Sequence, residues 1–199
     1  MKISSKNIII FIIFSLLIFT TNSYGATSSE FINNIAEKAS KILSSKETND
    51  LKIRQLTEIA QNSSDIDGIG LYMLGKHRKR LTEEQKNEYK EIFRTYFLKY
   101  FSNTLVEYKE ARIVVISEEI KNAKYTIVKS KLLATSNRPE ISIDWRVYTK
   151  DTTKPLIRDL VIEGVSLARA QKEEFNSIIT NNNGDVNALI KNLKEFNKR

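Results

Sequence analysis

The chain has no cysteine, which excludes disulfides, thiolate chemistry, cysteine zinc sites and a lipoprotein cysteine anchor. His77 is the single histidine and leaves no basis for a histidine-rich metal centre. No Asp-x-Asp-x-Asp-Gly calcium loop occurs; Asp65-Ile66-Asp67-Gly68 comes nearest and reads more simply as a helix-initiating turn. The six glycines are dispersed, so no glycine-rich loop is available to cradle phosphate. The aromatics follow a helical period instead of alternating with basic residues, which argues against a nucleic-acid partner. Neither a catalytic cofactor nor a metal is implied.

What remains is ordinary for a folded protein. Hydrophobic residues make up 41% of the 199 and charged residues 28%, enough for one domain with a real core. The formal charge of +8 suits anionic partners such as phospholipid head groups or acidic proteins. A coding bias toward Lys, Asn and Ile explains it equally. The one dense cluster is Lys76-His77-Arg78-Lys79-Arg80; it fits an anion, and it fits the cation preference of a helix C-terminus.

Residues 1–25 read as a secretory signal. Lys2 and Lys6 precede the apolar run Ile8–Phe19, and Ser23-Tyr24-Gly25 supplies small residues for cleavage near Gly25. The run is short for a membrane span. Residues 26–199 then form a single exported domain.

That domain opens helical. Thr27 and Glu30 have capping-box spacing, with Phe31, Ile32, Ile35, Ala39, Ile42 and Leu43 on one face. A second helix turns Leu51, Leu56, Ile59 and Ala60 inward, and a third from Ile69 to Lys79 is interrupted by Gly75. The central element runs from Thr82 to Tyr108, roughly 40 Å of helix, with Tyr89, Phe93, Tyr96, Phe97, Tyr100, Phe101 and Tyr108 on one stripe and Ser102 on the solvated side. Core packing accounts for such a stripe; so does the wall of an apolar pocket.

After Tyr108 the period becomes alternating. Four strands are predicted: Arg112–Ser117, Ala123–Ala134, Ile141–Tyr148 and Leu156–Glu163, with Pro139 and Pro155 at strand entrances. Short polar turns make an antiparallel meander the economical topology. Two helices, Leu167–Ile179 and Val186–Phe196, close the chain across the Asn181-Asn182-Asn183-Gly184 loop. Helices, then strands, then helices indicate an α+β fold.

Catalytic constellations are thin. Gly164-Val165-Ser166 has the strand-turn-helix setting of a nucleophile elbow, but that chemistry needs an acid and a histidine after the serine. The reading that fits is a tight strand exit at Gly164 with Ser166 as helix cap. Asp144, Asp159 and Glu163 could pair for acid–base work; next to Arg146 and Arg158 they read as solvated or ion-paired.

Two stretches carry a resemblance. Leu74-Gly75, a basic segment, Leu81-Thr82, Gln85, Tyr89, Phe93, Tyr100 and Leu105 form the first. Arg158-Asp159-Leu160-Val161-Ile162-Glu163-Gly164-Val165-Ser166-Leu167, with Phe175, Gly184, Leu189, Ile190 and Leu193, form the second. Together with Trp145-Arg146-Val147 they resemble the MlaC, or toluene tolerance, family of periplasmic phospholipid-binding proteins. His77-Arg78 replaces an aromatic pair, and Pro155 and Arg158 replace a Trp and a Tyr.

The resemblance implies a non-enzymatic carrier of phospholipid between an outer-membrane lipoprotein complex and an inner-membrane ABC transporter with its periplasmic lipid-binding subunit. It implies a strongly twisted four-stranded antiparallel sheet enclosing an apolar cavity, with the aromatic helix across its concave face and phospholipid as cargo. Trp145, Val147 and Val161 would form one wall, Phe97 and Phe101 the other, and Val165 the mouth. Lys76, Arg78, Arg80 and Arg146 are the candidates for head-group or partner contact. An isomerase or lyase on a cone-shaped α+β scaffold, and a protein-binding module without a cavity, are the alternatives.

Overall fold

A computed structural model describes residues 27–108 and 110–199; the export signal read at residues 1–25 lies outside them. The elements are α1 (Ser28–Ser44), α2 (Asn49–Ser63), α3 (Ile66–Met73), a 3₁₀ turn (Gly75–Lys79), α4 (Glu83–Val106), β1 (Ile113–Asn122), β2 (Tyr125–Leu132), β3 (Ile141–Tyr148), β4 (Leu156–Ile162), β5 (Val165–Ser166), α5 (Leu167–Asn181) and α6 (Val186–Lys198).

Helix starts follow the side-chain chemistry. Both capping boxes close: the Glu30 and Gln85 backbone N–H groups donate to the Thr27 and Thr82 hydroxyls at 3.1 Å each. The Glu30 and Gln85 side chains accept from the Thr27 and Thr82 backbones at 2.8 and 3.1 Å. Asp65 caps α3 by accepting from the Gly68 N–H at 3.0 Å. At Gly75 a φ of 53° ends the α-helix, because few residues but glycine adopt that conformation cheaply.

The sheet is antiparallel and ordered β1-β2-β3-β4-β5, one strand more than expected. Glu163 and Gly164 both have positive φ, 48° and 80°, as a type I′ hairpin requires. The chain therefore folds back, and Val165 and Ser166 pair with Ile162 and Val161 before α5 begins. A further irregularity lies in β4. Val147 pairs with Ile157 and Arg146 with Asp159, which leaves Arg158 as an extra residue. Such a bulge reverses the alternation beyond it, so Ile157, Leu160 and Ile162 share one face. β1 also runs past the expected end at Ser117, through an irregularity between Val115 and Ser117.

Among the described residues the buried apolar side chains form three clusters. The first joins α3, α4, α5 and α6 around Tyr89, Phe93, Phe175 and Leu189. The second joins α1 to the sheet through Ile32, Val128, Trp145 and Val147. The third is small: Leu43, Leu56 and Val106. Close helix approach is built into the first, since a Cβ on Gly70 would stand 2.7 Å from the Phe93 ring.

The long helix is not seated directly on the sheet. It packs chiefly on α2, α6 and α3, and α1 covers β1 and β2. The Ser29 N–H anchors α1 there by donating to the Glu118 carboxylate at 2.6 Å, a favourable charge for a helix N-terminus. Because α2 lies on the side of α4 expected to face water, Ser102 is fully buried and its hydroxyl shares a 2.8 Å hydrogen bond with Thr57. Leu51, expected inward, is exposed. No helix among the described residues is long and apolar enough to cross a membrane.

Candidate functional site

The inner face of the sheet is largely apolar. Register places Val128, Trp145 and Leu160 in one row and Thr126, Val147 and Ile157 in the next. Trp145 and Val147 are buried, and the Trp145 indole N–H donates to the Ser130 hydroxyl at 2.8 Å. Ser130 in turn donates to the Ile143 carbonyl at 3.0 Å, so the indole is fixed in orientation without an unpaired group. Val161 does not join this wall. It pairs with Asp144, on the opposite face, because the bulge at Arg158 shifts the alternation by one. Leu160 occupies the place assigned to Val161.

Phe97 and Phe101 lie one turn apart on α4 and stack with centroids 6.0 Å apart and planes at 8°. Both are half-buried. Phe97 packs on the helical cluster, while Phe101 belongs to none of the three clusters. Among the described residues the helical and sheet clusters are separate sets of buried apolar side chains.

The β4–β5 hairpin presents Val165, 57% exposed, beside exposed Leu167. It is held from below by Asp159, which is buried and not solvated as its sequence context suggests. Its carboxylate accepts from the Ser166 hydroxyl at 2.6 Å and from the Ala168 N–H at 3.0 Å. Ser166 also caps α5, accepting from the Arg169 N–H at 3.1 Å. With its hydroxyl donating to Asp159 and accepting from Arg169, Ser166 is a capping residue. His77 pairs with Asn176 at 3.0 Å and takes no part in this network.

Arg158 closes the outer face of the same strand. It pairs with Asp65 at 2.5 Å, lies 3.6 Å above the Tyr148 ring centroid and donates to the Tyr125 hydroxyl at 2.7 Å. Burial pulls its pKa down, but the hydrogen bonds to Tyr125 and Asp65 and the Asp65 charge outweigh this and raise it. Lys76, Arg78, Lys79 and Arg80 are exposed on the 3₁₀ turn and form no ion pair with any described residue. Arg146 is exposed on the outer face of β3, and no ion pair or hydrogen bond links it to that turn.

Comparison with known proteins gives this geometry a family. The sequence profile of the MlaC protein family matches residues 27–195. The chain belongs to the MlaC family. It is 22% identical over 135 residues to toluene tolerance protein ttg2D of Pseudomonas putida, a match spanning 63% of this chain and 58% of that relative. The fold is shared with a phospholipid-binding protein from Ralstonia solanacearum, solved in complex with a phospholipid, at a TM-score of 0.72 and 15% identity. That likeness covers 87% of this chain and 98% of the other.

One feature of this MlaC-family chain was not anticipated from its sequence. An open groove of about 520 Å³ runs along the C-terminal half of α4, lined by Tyr100, Asn103, Thr104, Glu107, Tyr108 and Phe196. Tyr100, expected inward, is 51% exposed there. The signal was the recurrence of Tyr100, Thr104 and Tyr108 at steps of four, which marks a stripe one step aside from Phe93, Phe97 and Phe101.

Proposed function

We propose that this chain is a periplasmic phospholipid carrier. The leader at residues 1–25 would be removed near Gly25, and the domain would shuttle lipid between an outer-membrane lipoprotein complex and an inner-membrane ABC transporter with its periplasmic lipid-binding subunit. The observation that carries this reading is that the apolar side chains of α4 and of the sheet do not share one cluster. On α4, Phe97 packs on the helical cluster and half-buried Phe101 on neither, while Trp145, Val147 and Leu160 belong to the sheet cluster. Acyl chains inserted between them would complete one core. Each CH₂ so enclosed is favoured by about 0.8 kcal/mol over water, which is why a carrier crossing an aqueous space must wrap its cargo. Val165 and Leu167 would line the mouth.

Family membership, the name of the Pseudomonas relative and the phospholipid held by the Ralstonia protein support the same reading. No covalent step is needed, and Ser166 with Asp159 serves the fold. Lys76, Arg78 and Arg80, with Arg146, would meet anionic head groups or an acidic partner.

The test is transfer of a fluorescent phospholipid from donor to acceptor vesicles, with the protein added in solution. A carrier raises the rate in proportion to its concentration. Reversing Arg78 and Arg80 to Glu should slow the transfer, more at low salt than at high, because exposed charges are screened over about 8 Å at physiological ionic strength. A rate equal to the protein-free control would remove the carrier reading.

A further inference from the structure

We propose that the groove at the C-terminal end of α4 binds an organic ammonium cation. Three observations converge there. First, the groove lies at the negative pole of a 24-residue helix whose last turn contains no basic residue and whose C-cap is Glu107. Helix carbonyls and a carboxylate both favour a cation. Glu107 is exposed and sets a carboxylate in the lining of the groove.

Second, the walls are aromatic and their orientation is fixed. Tyr100 stacks on Tyr96 with centroids 5.9 Å apart and planes at 15°, and Phe196 meets Tyr96 edge-on at 4.9 Å and 68°. Tyr96 therefore holds both rings, and Tyr100, half exposed, lines the groove. Tyr108 already accepts a cation, the Arg138 guanidinium 5.5 Å from its centroid. Arg138 itself is tied to the Glu110 and Leu133 carbonyls at 3.4 and 3.3 Å.

Third, the polar groups of the lining favour a cation over the other occupants. A metal ion needs several oxygen ligands, and no group of three or more such side chains occurs among the described residues. An anion would face Glu107 and the helix carbonyls. An acyl chain would cover Asn103, Thr104 and Glu107 without satisfying them. A weakly hydrated alkylammonium takes the aromatic faces by cation–π attraction and the carboxylate by charge. Its source is either a free alkylammonium or the choline or ethanolamine of a phospholipid head group. The assignment rests on the groove alone and not on the carrier reading.

The experiment is NMR titration of the full chain with tetramethylammonium chloride, following the ring resonances of Tyr100, Tyr108 and Phe196, against sodium chloride at equal ionic strength. The expected result is a saturable shift with a Kd of about 1–10 mM. Both Glu107→Gln and Tyr100→Ala should weaken it by about two- to fivefold, the effect of losing an exposed charge or ring face. Both positions are exposed, so the variants keep the fold. Phosphatidylcholine competing with the probe, where phosphatidylglycerol does not, identifies a head group as the source; the probe binding without such competition identifies a free cation. Shifts that sodium reproduces, or that survive both substitutions, overturn the site.

Discussion

The Trp145 indole on β3 donates to the Ser130 hydroxyl on β2 at 2.8 Å, and both residues are buried on the inner face of the sheet. Ser130→Ala leaves the indole N–H without an acceptor in an apolar setting. The expected loss is about 1–3 kcal/mol of stability, the usual cost of an orphaned buried donor. Urea unfolding monitored by the single tryptophan measures it. An unchanged midpoint would mean that the indole finds another acceptor.

Asp159 joins the sheet to α5 by accepting from the Ser166 hydroxyl and the Ala168 N–H. Asp159→Ala orphans the buried Ala168 N–H and frees the Ser166 hydroxyl, with an expected loss of about 2–4 kcal/mol. Asp159→Asn keeps one acceptor oxygen and should lose less. Denaturation midpoints of the two variants decide the order. Equal loss in both would show that the charge, not the hydrogen bonds, carries the contact.

Alkaline pH should loosen the helical cluster. Burial, aided by the Glu174 carboxylate and Tyr100, pushes the Tyr96 hydroxyl up to about 12 from its ordinary value of 10.0. Burial raises Tyr89 further in the same direction. A raised folded-state pKa contributes stability that is complete below pH 10 and fades as pH rises toward the folded value, because the unfolded chain loses its proton first. Tyr96→Phe cannot ionise, so its stability relative to wild type should rise between pH 10 and 12. A constant difference across that window would contradict the burial of Tyr96.

The sequence carried the capped starts at Thr27 and Thr82, though not the third helix, which begins at Ile66 and not Ile69; it also carried the change of period after Tyr108 and the inward face of β3, because each is encoded locally. What it hid depends on third partners. Ser102 sits on the solvated side of α4 by periodicity, and only the docking of α2, with Thr57, buries it. β5 is two residues long and leaves no alternation to read; the Glu163-Gly164 turn was its only trace. The bulge at Arg158 moved Val161 to the other face of the sheet, a change no hydropathy pattern shows. Helical period alone groups Tyr100 with Phe97 and Phe101, but its line with Thr104 and Tyr108 lies one step aside and borders the groove.

The most direct measurement of the central claim is lipid phosphorus recovered per mole of purified protein, for wild type and for Val165→Glu. Val165 is 57% exposed, so the added carboxylate stays hydrated and the fold survives, which thermal unfolding checks in the same samples. The account predicts about one phospholipid per wild-type chain and a folded Val165→Glu protein with far less. Wild-type protein that stays free of lipid even after incubation with phospholipid vesicles would contradict it.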